Sequence, residues 1–136
     1  MWRKEIEVIL ARQLASYLAL PIFIVDVEGN LLFYNEPAED VLGRRFEETG
    51  WMDSETWRNA FGPVDEEGCP IPASELPLNR ALRLKRPAHR RLWLPDKKGG
   101  FKAVEVTAFP LAGIGDRLVG AVSIFWEQDS QEKDDG

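Results

Sequence analysis

The chain holds one cysteine, Cys69, and one histidine, His89, the side chains best suited to nucleophilic or acid–base work near neutral pH. Nucleophilic catalysis needs such a pair within hydrogen-bond reach, with a third group to orient the base. Both residues are single copies and no third member is evident. No Gly-x-x-x-x-Gly-Lys run exists to cradle a phosphate, and Gly113-Ile114-Gly115 is a lone glycine pair in a loop-like stretch. One thiol makes no intramolecular disulfide, and a thiolate metal site would need ligands from elsewhere. The acids Glu36, Glu39, Asp40, Glu47 and Glu48 carry oxygens suited to a divalent cation, but a solvated helical face has the same appearance. No metal site is assigned, and the chain is not expected to be an enzyme.

Charge narrows the possibilities further. The chain has 136 residues and a formal net charge of −6, which argues against a dedicated nucleic-acid binder, whose affinity comes mostly from phosphate contacts. The acidity is uneven. Arg80, Arg83, Lys85, Arg86, Arg90, Arg91, Lys97, Lys98 and Lys102 stand against Asp96 alone, a band that reads as a solvated helix and strand face, or as a docking surface. No apolar run approaches the ~18 residues of a membrane span. The first residues form an amphipathic pattern and not a secretory leader. With a single cysteine, a reducing compartment is expected, and the cytoplasm is the expected location.

The elements that would position any site follow from periodicity. Ile6, Ile9, Leu10, Leu14, Tyr17 and Leu18 recur at helical spacing from Arg3 to Leu20, and Pro21 stops that helix. Ile22 to Val27 and Leu31 to Tyr34 are strand-like and flank Glu28-Gly29-Asn30, which predicts a hairpin. Asn35 is placed to cap a short helix with Pro37 in its first turn and Gly43 past its end. A second helix is bounded by Asp53 or Ser54 and by Gly62-Pro63. A third, capped by Ser74, runs to about Lys85. Strands are expected over Ala88 to Leu94, Phe101 to Phe109 and Arg117 to Trp126. The order describes an α+β domain with one five-stranded antiparallel sheet. Residues 1–20 are expected to form an amphipathic helix, residues 21–127 the domain, and residues 128–136 an acidic disordered tail.

The sequence from about Leu20 to Glu127 resembles a PAS domain. The likeness is carried by Ile24-Val25-Asp26-x-x-Gly29, then Leu31-x-x-x-Asn35-x-x-Ala38 and Val41-Leu42-Gly43. Asp65-x-x-Gly68-x-Pro70, with Glu75-x-Pro77-Leu78-x-Arg80-Ala81-Leu82, is similar to the segment before the central helix in one PAS subgroup. Phe109-Pro110-Leu111 and Gly120-Ala121-Val122 resemble the last hairpin. The resemblance implies a sheet whose inner face and short helices enclose a pocket, in proteins that sense small molecules, light or redox state. It departs from the family at Glu127-Gln128-Asp129, which stands where an Asp-Ile-Thr-like segment often begins a signalling helix. The output is therefore expected in another chain or outside this sequence.

The same resemblance bears on cofactors. A haem-binding member needs an axial ligand on or near its central helix, whereas His89 follows Pro87 among arginines and reads as a surface histidine. A photoreactive flavin member needs a cysteine in an Asn-Cys-Arg-Phe-Leu-like motif, whereas Cys69 lies in Gly-Cys-Pro-Ile-Pro. Haem and a photoreactive flavin are therefore not expected, and no cofactor is assigned.

Strand parity separates two surfaces. Val119, Ala121, Ser123 and Phe125 alternate with Leu118, Val122, Ile124 and Trp126, so neither face of the last strand is polar and both need a cover. Glu105 and Thr107 belong outside, which turns Val104, Val106 and Ala108 inward. The expected pocket is bounded by Phe23, Val25, Leu42, Trp51, Trp57, Leu78, Leu82, Leu92, Leu94, Val104, Val106, Ser123 and Phe125, and its expected ligand is small and largely apolar. The expected dimer or output surface carries Ile6, Leu10, Leu14, Tyr17, Ile22, Ile24, Trp93, Ile124 and Trp126. Expected partners are a second copy of the chain and an effector or signalling protein, with neither nucleic acid nor membrane. The alternative is a ligand-free dimerisation module whose interior is filled by Trp51, Trp57 and neighbouring aromatics.

Overall fold

The computed structural model describes residues 6–17, 19–96 and 98–127. The segments expected at residues 1–5 and 128–136 lie outside the described residues, as do the side chains of Ile6 and Tyr17. Helix α1 spans Ile6–Tyr17. Strands β1 (Ile22–Val25) and β2 (Leu31–Tyr34) form the first hairpin. Asp26 closes its turn, Oδ1 accepting the N–H groups of Glu28 and Asn30, each at 2.9 Å, while Gly29 takes the positive φ of +85° that a side chain would resist.

Three short helices follow: α2 (Glu36–Leu42), α3 (Phe46–Thr49) and α4 (Ser54–Phe61). Asp53, not Ser54, caps α4, accepting the Thr56 N–H at 2.8 Å. The sequence did not separate α3, whose four residues are too few for a helical period to show. Helix α5 spans Pro77–Leu84 with Leu76 at its N-cap, so Ser74 does not cap it. Ser74 lies instead in a 3-10 turn over Ala73–Glu75. The cause is Pro77, which has no N–H to donate and so fits the first helical position.

The remaining strands are β3 (Ala88–Pro95), β4 (Phe101–Ala112) and β5 (Leu118–Glu127). The sheet is antiparallel throughout in the order β2-β1-β5-β4-β3. After β2 the chain crosses the inner face as helices and re-enters at the opposite edge. Val64 covers part of that edge by exchanging two 2.9 Å backbone hydrogen bonds with Trp93. Central strands β1 and β5 pair closely, and a Cβ at Gly120 would collide with the Val25 carbonyl oxygen. On the inner face the main core joins Phe23, Leu31 and Tyr34 to Trp57, Phe61 and Leu78. On the outer face Ile22, Ile24 and Val122 pack with Ala11 of α1, Phe109 and Ile124. The helices thus lie inside, and α1 covers part of the outside.

Asn35 ties these layers together. Its side chain is 3% exposed; Oδ1 accepts from the N–H of Ile22 at 2.9 Å and of Ala38 at 3.2 Å, and Nδ2 donates to the Leu20 carbonyl at 2.9 Å. Asn35→Ala removes the α2 cap and strands buried backbone groups, so we expect a loss of about 2–3 kcal/mol in urea unfolding, well above the effect of an exposed Asn59→Ala control.

Candidate functional site: two apolar spaces on opposite faces of one sheet

Between the inner face and the helices lies a cavity of about 70 Å³. Of the residues expected around it, Phe23, Leu42, Trp57, Leu78, Leu92, Leu94, Val104, Val106, Ser123 and Phe125 line it, and Phe61, Pro63, Leu76 and Pro77 complete the wall. Phe61 was legible, since it follows Trp57 by one helical turn on the same face. Pro63 and Leu76 carried no signal because they enter from irregular backbone, and Pro77 none because it stands at the very start of α5.

Three expected residues are elsewhere. Trp51 is 58% exposed and does not line the cavity. Gly50, with φ 63° and ψ −160°, turns the chain so that Met52 goes inward and bridges to Leu31, and adjacent residues in extended backbone cannot both face in. Val25 is fully buried in the main core and does not line the space. Leu82 is half-buried at the core margin, because α5 directs Leu78 and Ala81 inward.

The aromatic walls are held by their polar ends. Trp57 meets Phe23 edge-on at 4.9 Å between ring centroids, and its Nε1–H donates to the Gly29 carbonyl at 2.8 Å. Phe61 stands edge-on to both Phe23 and Tyr34, at 6.2 and 5.9 Å. Tyr34 donates its hydroxyl to the Arg44 carbonyl at 3.0 Å. Burial raises the Tyr34 pKa above its ordinary value, with the Thr49 hydroxyl opposing. The polar lining side chain is Ser123, itself 2% exposed.

The outer face has an apolar half and a polar half. Leu10, Ala11 and Leu14 of α1, with Ile22, Phe109, Leu111 and Val122 of the sheet, border a groove of about 320 Å³. Leu10 and Leu14 are 57% and 60% exposed. Of the other residues expected on this surface, Ile22 and Ile24 are buried beneath α1, Ile124 packs beside them, Trp93 is half-buried and Trp126 lies exposed next to His89. His89 is in the polar half, its Nδ1 2.7 Å from Thr107 Oγ1 and its Nε2 2.8 Å from Glu105 Oε1. Arg91 Nε donates to the other Glu105 oxygen at 2.8 Å. The Arg91 hydrogen bond holds the Glu105 carboxyl below its ordinary range, partial burial opposes this, and His89 adds to the lowering.

The inner cavity offers neither the axial histidine of a haem nor the cysteine of a photoreactive flavin among the described residues. Its volume of about 70 Å³ is far below the ~300 Å³ and more of ordinary cofactor pockets. Cys69 is exposed, and no three His, Cys, Asp or Glu side chains converge among the described residues. In the acidic stretch Glu39 accepts the Phe46 N–H at 2.9 Å and Glu47 pairs with Arg45 at 2.7 Å. No helix among the described residues is long and apolar enough to cross a membrane.

A five-stranded antiparallel sheet with short helices over one face and a small cavity beneath them defines the class of fold, and solved structures place it. The chain has the PAS fold. It is similar to the PAS domain of BvgS from Bordetella pertussis, at 17% identity and TM-score 0.69 over 95% of this chain and 91% of that one. It is similar to the LOV protein of Rhodobacter sphaeroides, at 16% identity and TM-score 0.70 over 93% and 70%. It is also similar to a PAS domain from a two-component sensor histidine kinase, at 14% identity and TM-score 0.58 over 93% and 100%. No family model and no curated protein matches the sequence.

The Glu105 cluster generates a pH prediction. A carboxyl whose folded pKa is depressed contributes stability above its unfolded pKa, which is lost as pH falls through the folded one. Arg91 and His89 are half-exposed, which limits the contribution to about 1 kcal/mol. Glu105→Gln should therefore cost about that much in urea unfolding at pH 7, and the gap from the parent chain should close as pH falls below the carboxyl's ordinary value of 4.5.

Proposed function

We propose that the chain is a PAS sensory domain in signal transduction that works by binding. A small, largely apolar ligand occupies the inner cavity, and its presence is passed through the central strands to the surface around α1. The observation that carries this reading is the back-to-back lining of the two spaces by adjacent residues. On β1, Ile22 borders the outer groove and Phe23 the cavity; on β5, Val122 borders the groove and Ser123 the cavity. A shift of either strand therefore changes both spaces, which is what coupling between two sites requires. The likeness to a PAS domain from a sensor histidine kinase supports a signalling role. The groove fits a second copy of this chain or an effector protein, and the lone cysteine suits the cytoplasm.

The smallness of the cavity and its edge-on rings favour a second reading, a ligand-free dimerisation module. Ser123→Leu separates the two. It fills the cavity at a cost of about 1–3 kcal/mol if the surroundings cannot give way. In the sensor, hydrogen exchange across residues 6–17 changes in the variant, and denaturing mass spectrometry of the purified parent chain releases a small molecule. Unchanged exchange together with an empty interior makes the module the better reading.

Both readings place a second copy against Leu10 and Leu14. Light scattering at micromolar concentration should give twice the 15.5 kDa chain mass, and Leu10→Lys with Leu14→Lys should return it to one. A parent chain that stays at the single mass as concentration rises overturns the dimer.

A further inference from the structure

Taking the inner cavity as a ligand site, we propose that its ligand is a neutral apolar molecule of only a few heavy atoms, bearing one hydrogen-bonding atom that Ser123 Oγ engages. This rests on the sensory reading and specifies the chemistry of the ligand. Ser123 lies at the sheet centre, opposite Phe23 on β1 and Ala108 on β4. It is 2% exposed, and it brings a hydroxyl to the cavity wall. A hydroxyl that opens onto a space walled by carbon can gain a hydrogen bond from an incoming oxygen or N–H. The Trp57 indole is committed to Gly29, so the rest of the wall offers carbon.

Three consequences define the ligand. Among the described residues no charged side chain lines the cavity, so a carboxylate or ammonium would enter uncompensated and is excluded. The volume of about 70 Å³ is about half the ~150 Å³ of an engineered cavity that holds benzene, which limits the ligand to roughly three to five heavy atoms. A buried water normally makes about three hydrogen bonds. Ser123 supplies one, so water is a poor occupant and the space is reserved for something mostly carbon.

The test titrates the full chain with three probes of equal heavy-atom count, butan-2-one, 2-methylbut-1-ene and propionate, and follows the methyl resonances of Leu92, Leu94 and Val104 by NMR. The ketone and the alkene should shift these methyls, and propionate at pH 7 should not. Ser123→Ala should weaken the ketone by about three- to ten-fold, the worth of one hydrogen bond, and leave the alkene unchanged or tighter. Ser123→Thr, which keeps the hydroxyl, should restore the ketone's advantage. Equal effects of Ser123→Ala on ketone and alkene overturn the role of Ser123 and leave the cavity as a purely apolar site. Propionate binding as tightly as the ketone overturns neutrality, and failure of both neutral probes to bind overturns the ligand-site reading together with this inference.

Discussion

Strands β1 and β5 have no face that can be left to water. All four residues of β1 are buried, and β5 is buried continuously from Val119 to Ser123 and again at Phe125. Full burial of one such aliphatic or aromatic side chain is worth about 1.5–3 kcal/mol. A bare outer face would therefore forfeit several such contributions at Ile22, Ile24 and Val122. The fold meets this constraint with helices inside and α1 outside. The N-terminal helix is thus part of the sheet's solvation and not an appendage, although Leu10 and Leu14 show that its own apolar arc is wider than the strip it covers.

The inner cover is a lattice of rings anchored by hydrogen bonds. Trp57 packs edge-on against Phe23 and is pinned to the first hairpin through Gly29. Phe61, one turn along, reaches both Phe23 and Tyr34. These contacts draw α4 onto β1, and Asn35 holds α2 against the same strand. The size of the cavity follows from this lattice. Phe23, Trp57 and Phe61 form one part of its wall, and the smaller side chains Ser123, Val104 and Val106 form another.

The facing of each strand was legible in the sequence because a one-residue slip would send Glu105 and Thr107 into the core and Val104 and Val106 into water. Helix existence was equally legible where caps and stops were explicit, as at Asn35, Gly43 and Asp53. What escaped were choices made by irregular backbone. Trp51 is the larger aromatic and the natural candidate for the interior, yet the conformation of Gly50 gives the inward place to Met52. Ser74 is the better cap by side-chain chemistry, yet Pro77 sets the helix start through an N–H it lacks. The same helix start brings Leu76 and Pro77 into the cavity wall, where no periodicity points to them.

The outer face is divided along β5, and the division restricts how anything can dock on it. Toward Val122 the surface is carbon, with α1 above it. Toward Trp126 it meets the Glu105 carboxylate, whose oxygens are taken by His89 and Arg91. A partner lying across the polar half would strip water from the exposed sides of that ion cluster, and such desolvation commonly exceeds the attraction it preserves. A partner lying along α1 strips water only from leucine side chains and gains by it. A partner of the kind proposed is thereby favoured on the half of the face where β1 and β5 also back the cavity. In the proposed sensor, a movement at Phe23 or Ser123 would reach a docked partner one residue away, at Ile22 or Val122, without crossing a layer of side chains.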